Sequence, residues 1–440
     1  MKRTDKQNYS RRNWIQLMAL TNTGLLLPTS LISCADKNSG KSKTSETNTI
    51  LLISGWQDVN IGDIAHTPGL LHVLETFLPD TEIILWKRSR STEVEKLLHQ
   101  NFPKVKIIHG GVDDKHNVDS PEVLAAFDKA DLMLHGSGPS IVARAHLKAW
   151  AKHSDKPFGI FGTTIQHIND DLAQLLKKAS FIYTRETQSL EILKEHGINN
   201  DHITFAPDAT FFLNLKNDNK ANTFLKEHGL DEKKFICAIP RLRYTPYHEI
   251  RKVNWSESKI KDLEETNERF KEVDHAKLRQ AMIAWVRETG NKVLVCPEMT
   301  YQVDIMDELL IDPLPEDVKP FVVKRGYWMP DEAASVYNKA HTILSFECHS
   351  PIMALATGTP SFYLRQPEDT IKGQMYYDLG FKDWVFEIEE TTGEQITNTL
   401  RSVWSDYEAA KQKVAASMNK VGDIYKKSTA VIESILEQRS

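Results

Sequence analysis

The strongest constraint on this chain is an alternation that runs along it twice. Short continuous apolar runs, rich in β-branched residues, are each followed by a longer amphipathic stretch. The first series begins at residue 49 with "NTILLISGW" and continues through "TEIILW", "VKIIHGG", "ADLMLHGSGPS", "PFGIFGTTI", "FIYTRE" and "ITFAPDATFFL". A polar bridge at about 214–233 interrupts it, and "FICAIPRLRY", "KVLVCPEM", "PFVVKRGYW", "HTILSFECH", "TPSFYL" and "DWVFEI" restart it. A strand that is apolar on both faces needs cover on both, which helices flanking a parallel sheet supply. The expectation is an α/β chain of two Rossmann-like, doubly wound domains, 49–220 and 221–400, facing a cleft. Residues 401–440 read as a polar amphipathic helix pair. In such sheets ligands bind beyond the carboxyl ends of the strands, near the point where strand order reverses.

The segment ahead of the first strand has another character. Residues 1–34 carry paired arginines (Arg11, Arg12), a moderately apolar core and "LISC" ending at Cys34. That pattern predicts an export signal of the twin-arginine type with a lipobox, Cys34 being the acylated residue. Residues 35–48, "ADKNSGKSKTSETN", have the composition of a flexible tether. The expected location is therefore outside the cytoplasm, periplasmic or cell-surface, with a lipid anchor as the only membrane attachment. A net charge of -5 gives no electrostatic case for nucleic acid. The remaining cysteines, Cys237, Cys296 and Cys348, match neither a zinc spacing nor a disulfide framework. No cofactor and no metal centre is expected; Asp113, Asp114 and His116 in "GVDDKHNVD" read as a charged loop rather than a cation site.

Five stretches at strand ends could carry chemistry. In "NIGDIAHTPG", Asn60 and Gly62 lie in the turn after the first strand, and Asp63 falls where a helix cap is expected. Asp63 either orients a sugar hydroxyl or caps the helix. In "HGSGPS", Gly136, Ser137 and Gly138 either let backbone amides approach a ligand or make a tight strand-to-helix turn. Asp208 in "FAPDATFF" binds an acceptor hydroxyl or fixes its own turn. Arg241 and Arg243 in "IPRLRYTPYH" are candidates for an anionic donor, because guanidinium groups grip phosphate and carboxylate bidentately. In "SFECHSPIMALATGTPSFYL", Ser350 and Pro351 mark a helix start with Ser350 as its cap, which delivers His349 and free amides to the cleft. A histidine there gives or takes a proton near neutral pH.

Taken in order, "NIGD", "HGSGPS", "TRETQSLEILKEHGI", "APDATFFL" and "FECHSPIMALATGTPSFYLRQPEDTIKGQMYYDLG" resemble the polysaccharide pyruvyl transferase family over about residues 50–400. The resemblance implies a GT-B-like fold and transfer of a pyruvyl group from phosphoenolpyruvate to a sugar as a ketal. It implies donor contacts from an Arg-x-His motif, whose histidine matches His349; the catalytic role therefore falls on His349. Donor or anion binding falls on Arg241, Arg243, Gly136, Ser137, Gly138 and Ser350, and acceptor binding on Asn60, Asp63, Asp208 and Glu347. The motif's arginine position is Glu347 here, and a carboxylate repels an anionic donor by about 1 kcal/mol in water at close range. Arg241, Arg243 or Arg365 would compensate. The expected function is pyruvyl transfer to a cell-envelope or extracellular glycan. The alternatives are a non-catalytic glycan-binding lipoprotein of the same fold, or a glycosyl-type transferase using a different donor.

Overall fold

The computed structural model describes residues 47–438; the export signal, Cys34 and most of the tether lie outside them. The described chain forms two parallel-sheet α/β domains. The first sheet comprises β1 (Thr49–Ser54), β2 (Glu82–Lys87), β3 (Lys106–Ile108), β4 (Leu132–His135), β5 (Phe158–Thr163), β6 (Phe181–Thr184) and β7 (Ile203–Phe205), in the order 3-2-1-4-5-6-7. The second comprises β8 (Phe235–Ile239), β9 (Lys292–Val295), β10 (Val322–Lys324), β11 (Ile343–Ser345), β12 (Ser361–Arg365) and β13 (Val385–Glu387), in the order 10-9-8-11-12-13. Every ladder between these strands is parallel. The central strands β1, β4, β8 and β11 are buried at every position, which is why their sequences show no polar alternation.

Order reverses between β1 and β4 in one sheet and between β8 and β11 in the other. The switch points therefore expose the segments after β1, β4, β8 and β11, where four of the five candidate stretches lie. Register then decides which side chains meet. Ile239 of β8 pairs with Ser345 of β11. Arg241 and Glu347 each lie two residues beyond that pair, and Arg241 Nε comes within 3.5 Å of Glu347 Oε1.

The helix Ile61–Phe77 is apolar almost all round and buried from Ile61 to Leu71, as befits an element between two domains rather than on a surface. It starts earlier than a cap at Asp63 would place it. Asn60, not Asp63, is its cap, and the Asn60 side chain accepts from the amides of Gly62 (2.6 Å) and Asp63 (3.2 Å). Gly62, His66 and Gly69 fall at i, i+4 and i+7 on one stripe. A Cβ at Gly62 would overlap the His349 side chain, and one at Gly69 the Ala209 carbonyl. The chain closes with the helices Gly393–Ser405 and Tyr407–Glu437. The longer one returns to the first sheet, where Tyr425 Oη donates to the Asp208 carbonyl at 2.7 Å and the Ser428 carbonyl accepts from Tyr183 at 3.1 Å. No helix among the described residues is long and apolar enough to cross a membrane.

Two measurements follow from this packing. Gly→Ala inside a helix gains about 1 kcal/mol from propensity, whereas overpacking against fixed backbone costs about 1–3 kcal/mol. Gly69→Ala is expected to lower the thermal midpoint, and Gly422→Ala, on the last helix with nothing within 4 Å of its Cβ, to raise it. Arg241→Ala leaves Glu347 buried without its ion-pair partner and Asp369 with only Lys372, 3.5 Å away, a loss of about 3–5 kcal/mol. Adding Glu347→Gln to Arg241→Ala should recover part of it in chemical denaturation; additive effects would show that the pair is not coupled.

Candidate functional site

His349 does not follow a capped helix start. The helix runs His349–Ala356, Cys348 holds the cap position in an αR conformation, and no side chain of the cap residue serves the exposed amides. Ser350 is inside the helix, and the anion at its mouth is a protein carboxylate. Glu298, from the segment after β9, accepts from the Ser350 amide at 2.6 Å and from its hydroxyl at 2.8 Å. A helix N-terminus favours negative charge, and Glu298 takes that place. The same carboxylate lies 3.3 Å from His349 Nδ1. Its backbone reaches across to the other domain, the Glu298 carbonyl accepting from Ile61 N at 2.9 Å.

The far nitrogen of His349 points at the first domain. His349 Nε2 is 3.0 Å from His66 Nε2, with the rings edge to face. His66 Nε2 is also 3.2 Å from Asp208 Oδ2, which accepts from Arg185 Nη1 at 2.9 Å. Arg185 Nε donates in turn to Thr164 Oγ1, and Thr164 Oγ1 donates to Glu186 Oε2. His66, Asp208, Arg185 and Glu186 are fully buried, and His349 is 7% exposed. Burial alone would raise the Asp208 carboxyl, but His66, Arg185 and His349 hold it well below the usual carboxylate range. Burial likewise works against the His349 imidazolium; Cys348 and Glu298 beside Nδ1 more than offset it, so His349 titrates well above an ordinary histidine.

Glu347 stands behind this group on the second domain. It accepts from Gln302 Nε2 at 2.7 Å and faces Arg241, whose Nη1 donates to Asp369 Oδ1 at 2.5 Å. Burial pushes the Glu347 carboxyl up to about 7, with Arg241 pulling it the other way. Of the three arginines expected to answer Glu347, Arg241 does so. Arg365 pairs with Glu387 at 2.7 Å. Arg243 is turned to Asp274, bidentately at 2.9 and 3.1 Å, and to Glu389 and Glu368, with its guanidinium 3.5 Å above the Phe270 ring. Its donors are committed, which leaves it in a structural ion cluster rather than in reach of a donor.

The glycine-rich turn is also filled by protein. A Cβ at Gly136 would press on Ser54 Oγ and one at Gly138 on Trp56 Nε1, each at 2.9 Å. Trp56 Nε1 donates to the Ser137 carbonyl at 2.5 Å, and Ser137 Oγ accepts from Ala209 N at 3.0 Å. These residues hold the turn against β1 and the Asp208 segment. Asp63 accepts from Gln57 Nε2 and lies 3.9 Å from His66 Nδ1. Asn60 is spent on its helix, and its backbone bridges Met299 of the second domain. Asp113 accepts from the amides of Lys115 and Asn117 and from the Asn117 side chain, a self-contained loop. Sequence reasoning missed His66, Arg185 and Glu298. His66 was within reach, since it shares a helical stripe with Gly62 and Gly69; Glu298 enters only through tertiary packing.

The sequence profile of the polysaccharide pyruvyl transferase family matches residues 60–366, from the cap of the first-domain helix to the end of β12. No curated protein matches the chain. Among solved structures, a UDP-N-acetylglucosamine 2-epimerase aligns over 90% of this chain and 96% of its own with TM-score 0.56 and 14% identity. The UDP-GlcNAc 2-epimerase from Neisseria meningitidis bound to UDP-GlcNAc aligns over 88% and 100% with TM-score 0.54 and 12% identity. A UGT transferase from Siraitia grosvenorii in complex with UDP aligns over 88% and 99% with TM-score 0.53 and 10% identity. At these identities the likeness is one of fold, and the fold is GT-B. With the profile spanning both switch points and the segment that carries His349, the chain belongs to the polysaccharide pyruvyl transferase family.

Proposed function

We propose that this protein transfers a pyruvyl group from phosphoenolpyruvate to a sugar of a cell-envelope or extracellular glycan, closing it as a ketal. The observation that carries the reading is the placement of His349: Nδ1 is backed by Glu298 at 3.3 Å, and Nε2 faces the domain junction. A carboxylate behind an imidazole fixes its orientation and stabilises its protonated form, which is what a proton donor needs. In the reaction, the methylene carbon takes a proton from His349 and a sugar hydroxyl adds to the adjacent carbon. Phosphate leaves with that hydroxyl's proton, and a second hydroxyl closes the ring while its proton returns to His349. Arg241 supplies a guanidinium beside Glu347 for the anionic donor, and Asp208 acts through His66 as a positioning residue. With His349 7% exposed, the reading requires the two domains to part for substrate to enter, a motion of the hinge type. The paired arginines and "LISC" before residue 35 support a glycan of the envelope.

A second reading has its own support. Arg241 and Glu347 satisfy each other, which suits a glycan-binding protein that kept the fold without the donor site.

The mature protein incubated with phosphoenolpyruvate and envelope glycans should release phosphate and form a ketal detectable by mass spectrometry. His349→Ala should lower kcat by about 10²–10⁴, and Glu298→Gln by about tenfold or more with KM little changed. Turnover no greater than that of His349→Ala removes the transferase reading; glycan binding indifferent to that substitution then supports the second.

A further inference from the structure

The His66, His349 and Asp208 atoms converge more closely than a hydrogen-bonded triad requires. His66 Nε2, His349 Nε2 and Asp208 Oδ2 are separated by 3.0, 3.2 and 3.9 Å. Two imidazole nitrogens that face each other can share one proton, and the carboxylate oxygen beside them brings none when ionised. We propose that these three atoms form a binding site for one divalent transition metal of the zinc class.

Geometry, donor set and surroundings agree. Bonds of about 2.0–2.2 Å in a tetrahedral arrangement give ligand-to-ligand edges of about 3.3–3.6 Å, and the separations found bracket that range. Two imidazoles and one carboxylate suit zinc, cobalt or ferrous iron and not calcium or magnesium, which take oxygen. Three protein ligands leave one position of a tetrahedron for water or a substrate oxygen. Behind the ligands stand the groups that orient such donors. Glu298 lies at His349 Nδ1 (3.3 Å), Asp63 lies 3.9 Å from His66 Nδ1, and Arg185 donates to Asp208 at 2.9 Å. His66 Nδ1 is buried and without a hydrogen-bond partner, so an N–H there is free to turn to Asp63 when Nε2 is engaged. With the imidazoles neutral, Asp208, Glu298 and Asp63 against the single Arg185 leave an excess of negative charge around the point. The ligands come from the Ile61–Phe77 helix, the segment after β7 and the His349–Ala356 helix, so the metal would clasp both domains in the closed arrangement.

The inference stands apart from the proposed transfer. A metal on His349 Nε2 occupies the lone pair that proton transfer uses, so the metal-bound form is a closed, transfer-inactive form.

Metal-free full-length protein titrated with Co²⁺ should develop the visible absorption of tetrahedral cobalt at one equivalent, bleached by Zn²⁺. His66→Ala should weaken Co²⁺ binding at least tenfold, and His248→Ala, in the exposed His248, Glu249 and Glu264 cluster, should leave it unchanged. Zn²⁺ should raise the thermal midpoint of the unmodified protein, a readout that does not depend on any variant folding. Absence of both the cobalt bands and the midpoint shift overturns the proposal, as does cobalt binding unaffected by His66→Ala. Transfer activity measured with a chelator present reports the proposed reaction independently of the metal.

Discussion

Much of the molecule's order turns on one carboxylate. Glu298 follows β9 and ends fully buried. Its side chain satisfies the start of the His349–Ala356 helix and backs the His349 ring. Its carbonyl accepts from Ile61, the first residue of the helix that leaves the other domain's β1. A buried charge is costly unless hydrogen-bonded. Glu298 meets that condition with donors from the Ser350 amide and hydroxyl, and its side chain and backbone carbonyl together tie two helix starts in two domains to one residue. The histidine pair at the junction inherits its alignment from that tie.

The same logic explains why the site is closed so tightly. Gly62 brings the backbone of the first-domain helix against His349, where any larger residue would overlap the ring. The buried His66 then meets His349 at hydrogen-bond distance, and Asp208 and Arg185 complete a charge sequence that alternates in sign. Beside it, Glu347 and Arg241 settle the charge reversal within the family motif. Strand register delivers them to each other, since each lies two residues beyond the paired Ser345 and Ile239.

How much of this was legible beforehand depended on the range of the interaction. The parallel sheets were readable because double-sided burial imposes a local pattern, an uninterrupted apolar run. The placing of His349 at a strand-to-helix step was readable for the same reason. Caps were not. Asn60 displaced Asp63, and a carboxylate from another strand displaced Ser350, because a cap is chosen by whichever acceptor tertiary packing brings within reach. The glycines of "HGSGPS" signalled close approach, and the groups that approach Gly136 and Gly138 are Ser54 and Trp56. Arg243 looked as available as Arg241, and only the positions of Asp274, Glu389 and Phe270 distinguish them. Arg185 lay inside "TRETQSLEILKEHGI" without standing out from it, since its partner Asp208 is on a different strand end.

The last long helix sets a condition on timing. Tyr425, which follows the second domain in sequence, donates to the carbonyl of Asp208 and packs its ring against Phe161 and Phe212 of the first domain. The first domain is therefore the earlier one to be synthesised and the later one to be finished. Until residue 425 has emerged and crossed back over, the backbone that presents Asp208 to His66 lacks its outer support. The two domains are thus successive in sequence but not separable in packing, because a segment that follows the second completes the first.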